Sequence, residues 1–245
     1  MNSLIQRLYL FDMEYFEQDN IKLILGDNLE LMREIPTGYF NIGLVDPPYG
    51  ISAPTMGATK FQRKKGSKRL NGGGGKLKNR VLNKSDIDWD SEIPEQEYFD
   101  ELFRITKNQI IWGGNYFPLR PTRCYVCWDK VQPWENFSQI ELAWTSFDTP
   151  AQLFRFDNRT GGKIHPTQKP VELYSYLIRK YCKEGDKIFD SHLGSATAAI
   201  AVDTANKLDH MKLDFTGIEI GENNFRNAVK HFKTYSKQPF FNFPE

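Results

Sequence analysis

An acid, two prolines and a tyrosine, Asp46-Pro47-Pro48-Tyr49, end the apolar run FNIGLV and lead into Gly50. The prolines fix φ and have no N–H to donate, and Pro47 presses Asp46 towards extended backbone. One carboxylate and one aromatic ring are therefore held rigidly at the tip of a strand. On these residues alone the alternative is a strand-ending turn with a solvated acid, and the rest of the chain has to decide.

A second stretch, KIFDSHLGSATAAIA (187–201), reads as strand, small-residue turn and helix. Gly194, Ser195 and Ala196 let backbone approach a ligand closely. The helix start at Thr197 offers unpaired N–H groups and positive potential to a carboxylate or phosphate. The spacing is not G-x-G-x-x-G, so the dinucleotide fingerprint is absent. Glu219 ends the next apolar run, FTGIEI, where an acid can hold the two hydroxyls of a ribose. Asp27 ends a third such run. Turn and acids together suggest a nucleoside-like cofactor with a charged tail.

These groups need a scaffold that gathers strand ends. The pattern alternates: strand 21–27, helix 28–35, strand 40–46, helix 95–107, strand 109–114, strand 124–129, an irregular stretch 130–164 with one strand at 140–147, helix 171–182, strand 187–190, helix after the 192–196 turn, strand 215–220 and helix 223–235. Alternation of this kind predicts an α/β fold, a mostly parallel sheet with helices on both faces. In such sheets ligands sit beyond the carboxyl ends of the strands. Asp27, Asp46, Asp190 and Glu219 should then line one rim.

In this order DPPYG, HPTQKP (165–170), the FDSHLGSATAAIA turn and GIEI resemble the β-class amino-methyltransferases of DNA, of the adenine-N6 type with a DPPY motif, which use S-adenosylmethionine. The resemblance covers residues 21–235. It implies one methyltransferase domain over 1–245, Rossmann-like and circularly permuted, with catalytic motif first, target recognition next and cofactor motifs last. It implies that Asp46 and the Pro47 carbonyl accept hydrogen bonds from an exocyclic amine, that Pro48 stiffens the turn, and that Tyr49 stacks on the target base. The turn of Asp190, Ser191, Gly194, Ser195, Ala196 and Thr197 would face the methionine part of the cofactor. Glu219 would face its ribose and Asp27 its adenine, while His165, Thr167 and Lys169 would border its amino-acid end. One departure stands out. The family commonly has a Pro-Phe pair and a second glycine in this turn, where this chain has Ser191, His192 and Ala196, which bears on cofactor affinity more than on fold.

Net charge is +1, so global charge says nothing of a polyanionic partner. Its distribution does. Residues 60–80, KFQRKKGSKRLNGGGGKLKNR, hold basic residues and glycines and no acid. The segment 52–90 is expected to be a flexible basic loop, with Lys60, Arg63, Lys64, Lys65, Lys68 and Arg69 on phosphates of double-stranded DNA. Residues 115–162 are the candidate target-recognition region, with Asn115, Arg120, Arg123, Asn136, Arg155, Asn158 and Arg159 as candidate DNA contacts. An amine inside a duplex is out of reach, so the base must be extruded.

The expected activity is adenine-N6 methylation of DNA by base flipping and direct transfer. Cytosine-N4 methylation, where Ser is commoner at the first motif position, is the alternative, as are another amine target or a DNA-binding relative impaired in catalysis. The resemblance also allows a homodimer and a cognate restriction endonuclease. The 3 cysteines are too few for a disulfide framework. Cys124 and Cys127 read as thiols on or beside a buried strand rather than zinc ligands, and no metal is expected. No uninterrupted apolar run reaches membrane-spanning length, and the N-terminus lacks the features of a signal peptide, so a cytoplasmic location is expected.

Overall fold

The structure is a computed structural model that describes residues 13–51, 90, 92–132, 138–157 and 168–237. The basic segment from Lys60 to Arg80, His165, Thr167, Asn136, Asn158 and Arg159 lie outside the described residues. The chain forms two compact units, Met1–Pro47 with Pro94–Glu245, and Pro48–Ile93.

In the larger unit, β1 (Tyr15–Gln18) and β2 (Ile21–Leu25) form a hairpin, followed by α1 (Asn28–Glu34), β3 (Phe40–Val45), α2 (Gln96–Ile105) and β4 (Thr106–Trp112). Then come β5 (Tyr125–Asp129), β6 (Ile140–Thr145), β7 (Gln152–Arg155), α3 (Val171–Tyr181), β8 (Lys187–Asp190), α4 (Thr197–Leu208), β9 (Asp214–Glu219) and α5 (Glu222–Ser236). The strands form a 9-stranded sheet in the order β1-β2-β9-β8-β3-β4-β6-β5-β7. The central run β2-β9-β8-β3-β4 is parallel throughout. β1 and β6 are antiparallel to their neighbours. The helices fall into two groups, α1 with α2, and α3 with α4 and α5, as helices on two faces of one sheet do.

Sequence chemistry explains the central elements. β3 is buried along almost its whole length, as a strand covered on both faces must be, and its residues form a near-continuous apolar run. In α2, Tyr98, Phe99, Leu102 and Ile105 are buried and recur at helical spacing. Asp27 caps α1 by accepting from Glu30 N at 2.9 Å, which satisfies one of the unpaired amides of the first turn. α4 is buried from Thr197 to Val202, and its run of alanines lets it approach α3 closely.

Two strands were not foreseen. β1 and β7 occupy the two edges of the sheet and are short and mixed in polarity. In β7 the partly buried Gln152 and Phe154 alternate with exposed Leu153 and Arg155. β4 begins at Thr106, directly after α2, rather than at residue 109. The strands expected at 124–129 and 140–147 are present as β5 and β6, and β7 adds another within the stretch 130–164, otherwise expected to be irregular.

Candidate active site

The connections out of β3 and β8 diverge. β3 leads by α2 to β4 on one side, and β8 leads by α4 to β9 on the other. Where neighbouring parallel strands send their crossovers apart, a crevice opens beyond their carboxyl ends. Gly43 pairs with Phe189, so Asp46 and Asp190 stand just beyond that pair at the mouth of the crevice. Leu25 pairs with Glu219, which brings Asp27 and Glu219 to the same rim. The expected gathering of four strand-end acids is therefore present.

The turn after β8 is tightly built. Gly194 and Ala196 both adopt left-handed backbone, at φ 52° and 60°. Glycine does this freely, whereas an alanine does so at a cost of about 1–2 kcal/mol. Ala196 therefore holds a backbone that glycine would take without that cost. Ala196 is the N-cap of α4 and supplies no side-chain cap, so the first-turn amides are not served by one. Glu219 Oε2 accepts from Gly194 N at 3.1 Å and Oε1 from Gly221 N at 3.0 Å. Burial pushes the Glu219 carboxyl up.

Ser191 and His192 form a hydrogen-bonded row. Tyr98 Oη lies 2.7 Å from Ser191 Oγ, which lies 2.9 Å from His192 Nδ1. His192 Nε2 lies 3.1 Å from Asn28 Nδ2. An amide nitrogen can only donate, so Nε2 accepts and Nδ1 carries the proton. Burial holds His192 down at about 4, in keeping with that neutral form. The ring also meets Tyr98 edge-on, with centroids 5.5 Å apart. Beside it, burial raises Asp190 to about 7, opposed by the hydrogen bond from His192 N and aided by the charges of Asp46 and Glu219.

Asp46 has a partner that the motifs did not foresee. Lys169 Nζ lies 2.5 Å from Asp46 Oδ2 and 3.3 Å from Glu141 Oε2. It also sits over the Trp112 ring, 5.1 Å from its centroid. Lys169 was expected at the amino-acid end of a cofactor; in this structure its ammonium stands against the Asp46 carboxylate. Burial alone would lower the Lys169 ammonium, but Asp46 and Glu141 raise it. Glu141 also pairs with Lys130. Burial would raise its carboxyl, and the two lysines outweigh that and hold it low.

In the smaller unit, Asp90 Oδ1 accepts from Tyr49 N at 2.6 Å and from Gly50 N at 3.1 Å. Asp90 is buried, and Gly50 takes a left-handed φ of 68°. The backbone of the DPPYG turn is thus pinned by an acid that lies far along the chain. Of the candidate DNA contacts, Arg155 Nε pairs with Asp129 Oδ2 at 2.9 Å and Arg123 with Asp148 at 3.2 Å, both on the surface. Arg120 lies over Trp144 at 6.0 Å. Cys124 is buried just before β5 and Cys127 lies within it. Among the described residues no cluster of His, Cys, Asp and Glu could hold a metal, and no helix is long and apolar enough to cross a membrane.

Residues 111–230 match the family model described as DNA methylase, of the N6/N4 type. The Type II methyltransferase M2.LlaDCHI of Lactococcus lactis subsp. cremoris is 23% identical over 229 residues, spanning 76% of this chain and 81% of that protein. Among solved structures, the M1.HpyAVI-SAM complex superimposes with a TM-score of 0.52 at 15% identity, over 86% of this chain and 98% of that one. The cytosine-N4-specific PvuII DNA methyltransferase gives 0.54 at 14%, over 87% and 86%. At such identities the two structures bear on the fold alone, which they share as a Rossmann-like α/β sheet. Over residues 111–230, and in its fold as a whole, the chain is thus similar to the DNA methyltransferases of the N6/N4 class.

Proposed function

We propose that this chain transfers a methyl group from S-adenosylmethionine to the exocyclic N6 amine of an adenine extruded from double-stranded DNA. The observation that carries the reading is the position of Asp46, at the tip of β3, on the strand next to the β8 turn and at the divergence of their connections.

The residues present fit the cofactor. The left-handed Gly194–Ala196 turn, the α4 start without a side-chain cap, and Glu219 at the rim suit an amino-acid carboxylate and a ribose. When bound, S-adenosylmethionine supplies an electrophilic methyl group on a sulfonium. The chain's own groups orient the acceptor. Asp46 and the Pro47 carbonyl each take one N–H of the amine, which turns the nitrogen lone pair away from the ring and towards the crevice. Asp46 would then accept the proton that the amine loses on methylation and pass it to solvent. Tyr49 stacks on the extruded base and recovers about 1–3 kcal/mol of the unstacking cost.

Asp at the first motif position favours adenine over cytosine. The test is product analysis. The chain is incubated with methyl-labelled cofactor and unmethylated bacterial DNA, and the DNA is digested to nucleosides. Label in N6-methyl-2′-deoxyadenosine is expected; label in N4-methyl-2′-deoxycytidine would reassign the target, and label in neither would overturn the activity.

A further inference from the structure

We propose that Glu141, which belongs to none of the motifs, is a positioning residue for Asp46 and acts through Lys169. The proposal rests on the methyl-transfer reading above and concerns how its acceptor carboxylate is kept available.

Lys169 is buried, and a buried ammonium needs counter-charge. Were Asp46 its sole carboxylate, the ammonium would clamp the group that must receive the substrate amine. Glu141 divides that attraction. Lys169 Nζ stands 2.5 Å from Asp46 and 3.3 Å from Glu141. Lys130 neutralises Glu141 from its other side, so Lys130, Glu141, Lys169 and Asp46 alternate in sign and sum to zero.

The sheet holds the row in place. Asp46 directly follows the Val45–Ile111 pair, beside Trp112. Trp112 pairs with Ala143, and Glu141 pairs with Trp128. Alternation along β6 puts Glu141 and Ala143 on one face, and Lys169 covers that face over Trp112.

Glu141 Oε2 is one of two buried side-chain polar atoms without a hydrogen bond among the described residues, Trp112 Nε1 being the other. The contact of Oε2 with Lys169 is thus an ion pair that lacks hydrogen-bond alignment. An acceptor left short in this way costs free energy, and it gives Lys169 somewhere to go. As the target amine binds Asp46 and gains positive charge during transfer, Lys169 moves towards Glu141 and completes the bond Oε2 lacks. Glu141 therefore matters most when charge develops, and its removal should reach kcat before binding.

The full chain is compared with Glu141→Gln and Glu141→Asp, using unmethylated bacterial DNA. Methyl transfer gives kcat and the KM for DNA; calorimetric titration gives the Kd for S-adenosylmethionine. Glu141→Gln is expected to lower kcat about 10- to 100-fold, with both binding constants within about threefold, and Glu141→Asp to recover part of the loss. Unchanged kcat in Glu141→Gln, or parallel loss of kcat and cofactor binding without recovery in Glu141→Asp, would overturn the role. Should Glu141→Gln not fold, Glu141→Asp decides alone. A kcat below that of the unmodified chain with binding kept supports the role, and an unchanged kcat contradicts it. Failure of the unmodified chain to transfer any methyl group would instead overturn the methyl-transfer reading, and this role with it.

Discussion

Lys169 Nζ lies 2.5 Å from Asp46 Oδ2 although 123 positions separate them. The pair joins HPTQKP to DPPY and ties the chain segment before α3 to the tip of β3. Removing one partner of a buried ion pair leaves an uncompensated charge and costs about 3–5 kcal/mol. Asp46 keeps 29% of its side chain exposed, so solvent reduces that cost. Lys169→Met should destabilise the chain by about 2–4 kcal/mol, lowering the unfolding midpoint by about 4–16 °C. A midpoint within about 2 °C of the unmodified chain in a thermal melt would show that the pair contributes little.

The turn after β8 carries two opposed titrations. His192 sits at about 4 in the fold against an ordinary 6.5, so between those values the unfolded chain binds a proton that the fold refuses. Its contribution is complete above pH 6.5 and is lost as pH falls towards 4. Asp190 sits at about 7 against an ordinary 3.8, so the fold keeps a proton that the unfolded chain releases. Its contribution is complete below about pH 4 and is lost as pH rises towards 7. The two slopes oppose each other between about pH 4.5 and 6.5. Compared with the unmodified chain, Asp190→Asn should gain stability more steeply as pH rises through that window, and His192→Gln should lose it. Thermal midpoints at half-unit intervals measure both slopes; parallel curves for all three proteins would contradict the assignment.

Ala196 holds a left-handed φ of 60° and is fully buried. A β-branched residue is a steric outlier there, while glycine is not. Ala196→Gly should therefore be at least about 2 kcal/mol more stable than Ala196→Val, a separation of about 4–8 °C in midpoint. Equal midpoints would mean that the turn relaxes to another backbone.

The readable parts of this molecule were those in which signal and consequence lie side by side. Asp27, Asp46, Asp190 and Glu219 each follow an apolar run, so strand and terminal acid could be read together, and a parallel sheet brings such ends to one rim. The small residues at 194–196 announced a close turn for the same reason. Glu141 and Asp90 carried no such mark. Glu141 looks like any polar position in a strand until Lys169 is folded onto it, and Asp90 acts on Tyr49 and Gly50 across an intervening segment. Asn28 and Tyr98 likewise gain meaning only once α1 and α2 meet the β8 turn at Ser191 and His192. β1 and β7 escaped notice because edge strands need neither length nor a continuous apolar run.

Asp46→Ala, followed by transfer of labelled methyl to DNA and by calorimetric titration of S-adenosylmethionine on the same preparation, tests the central claim most directly. Loss of transfer to background, with the cofactor Kd within about threefold of the unmodified chain, is the predicted result. Retained transfer, or loss of transfer and cofactor binding together, would contradict the assignment of Asp46 as the acceptor of the target amine.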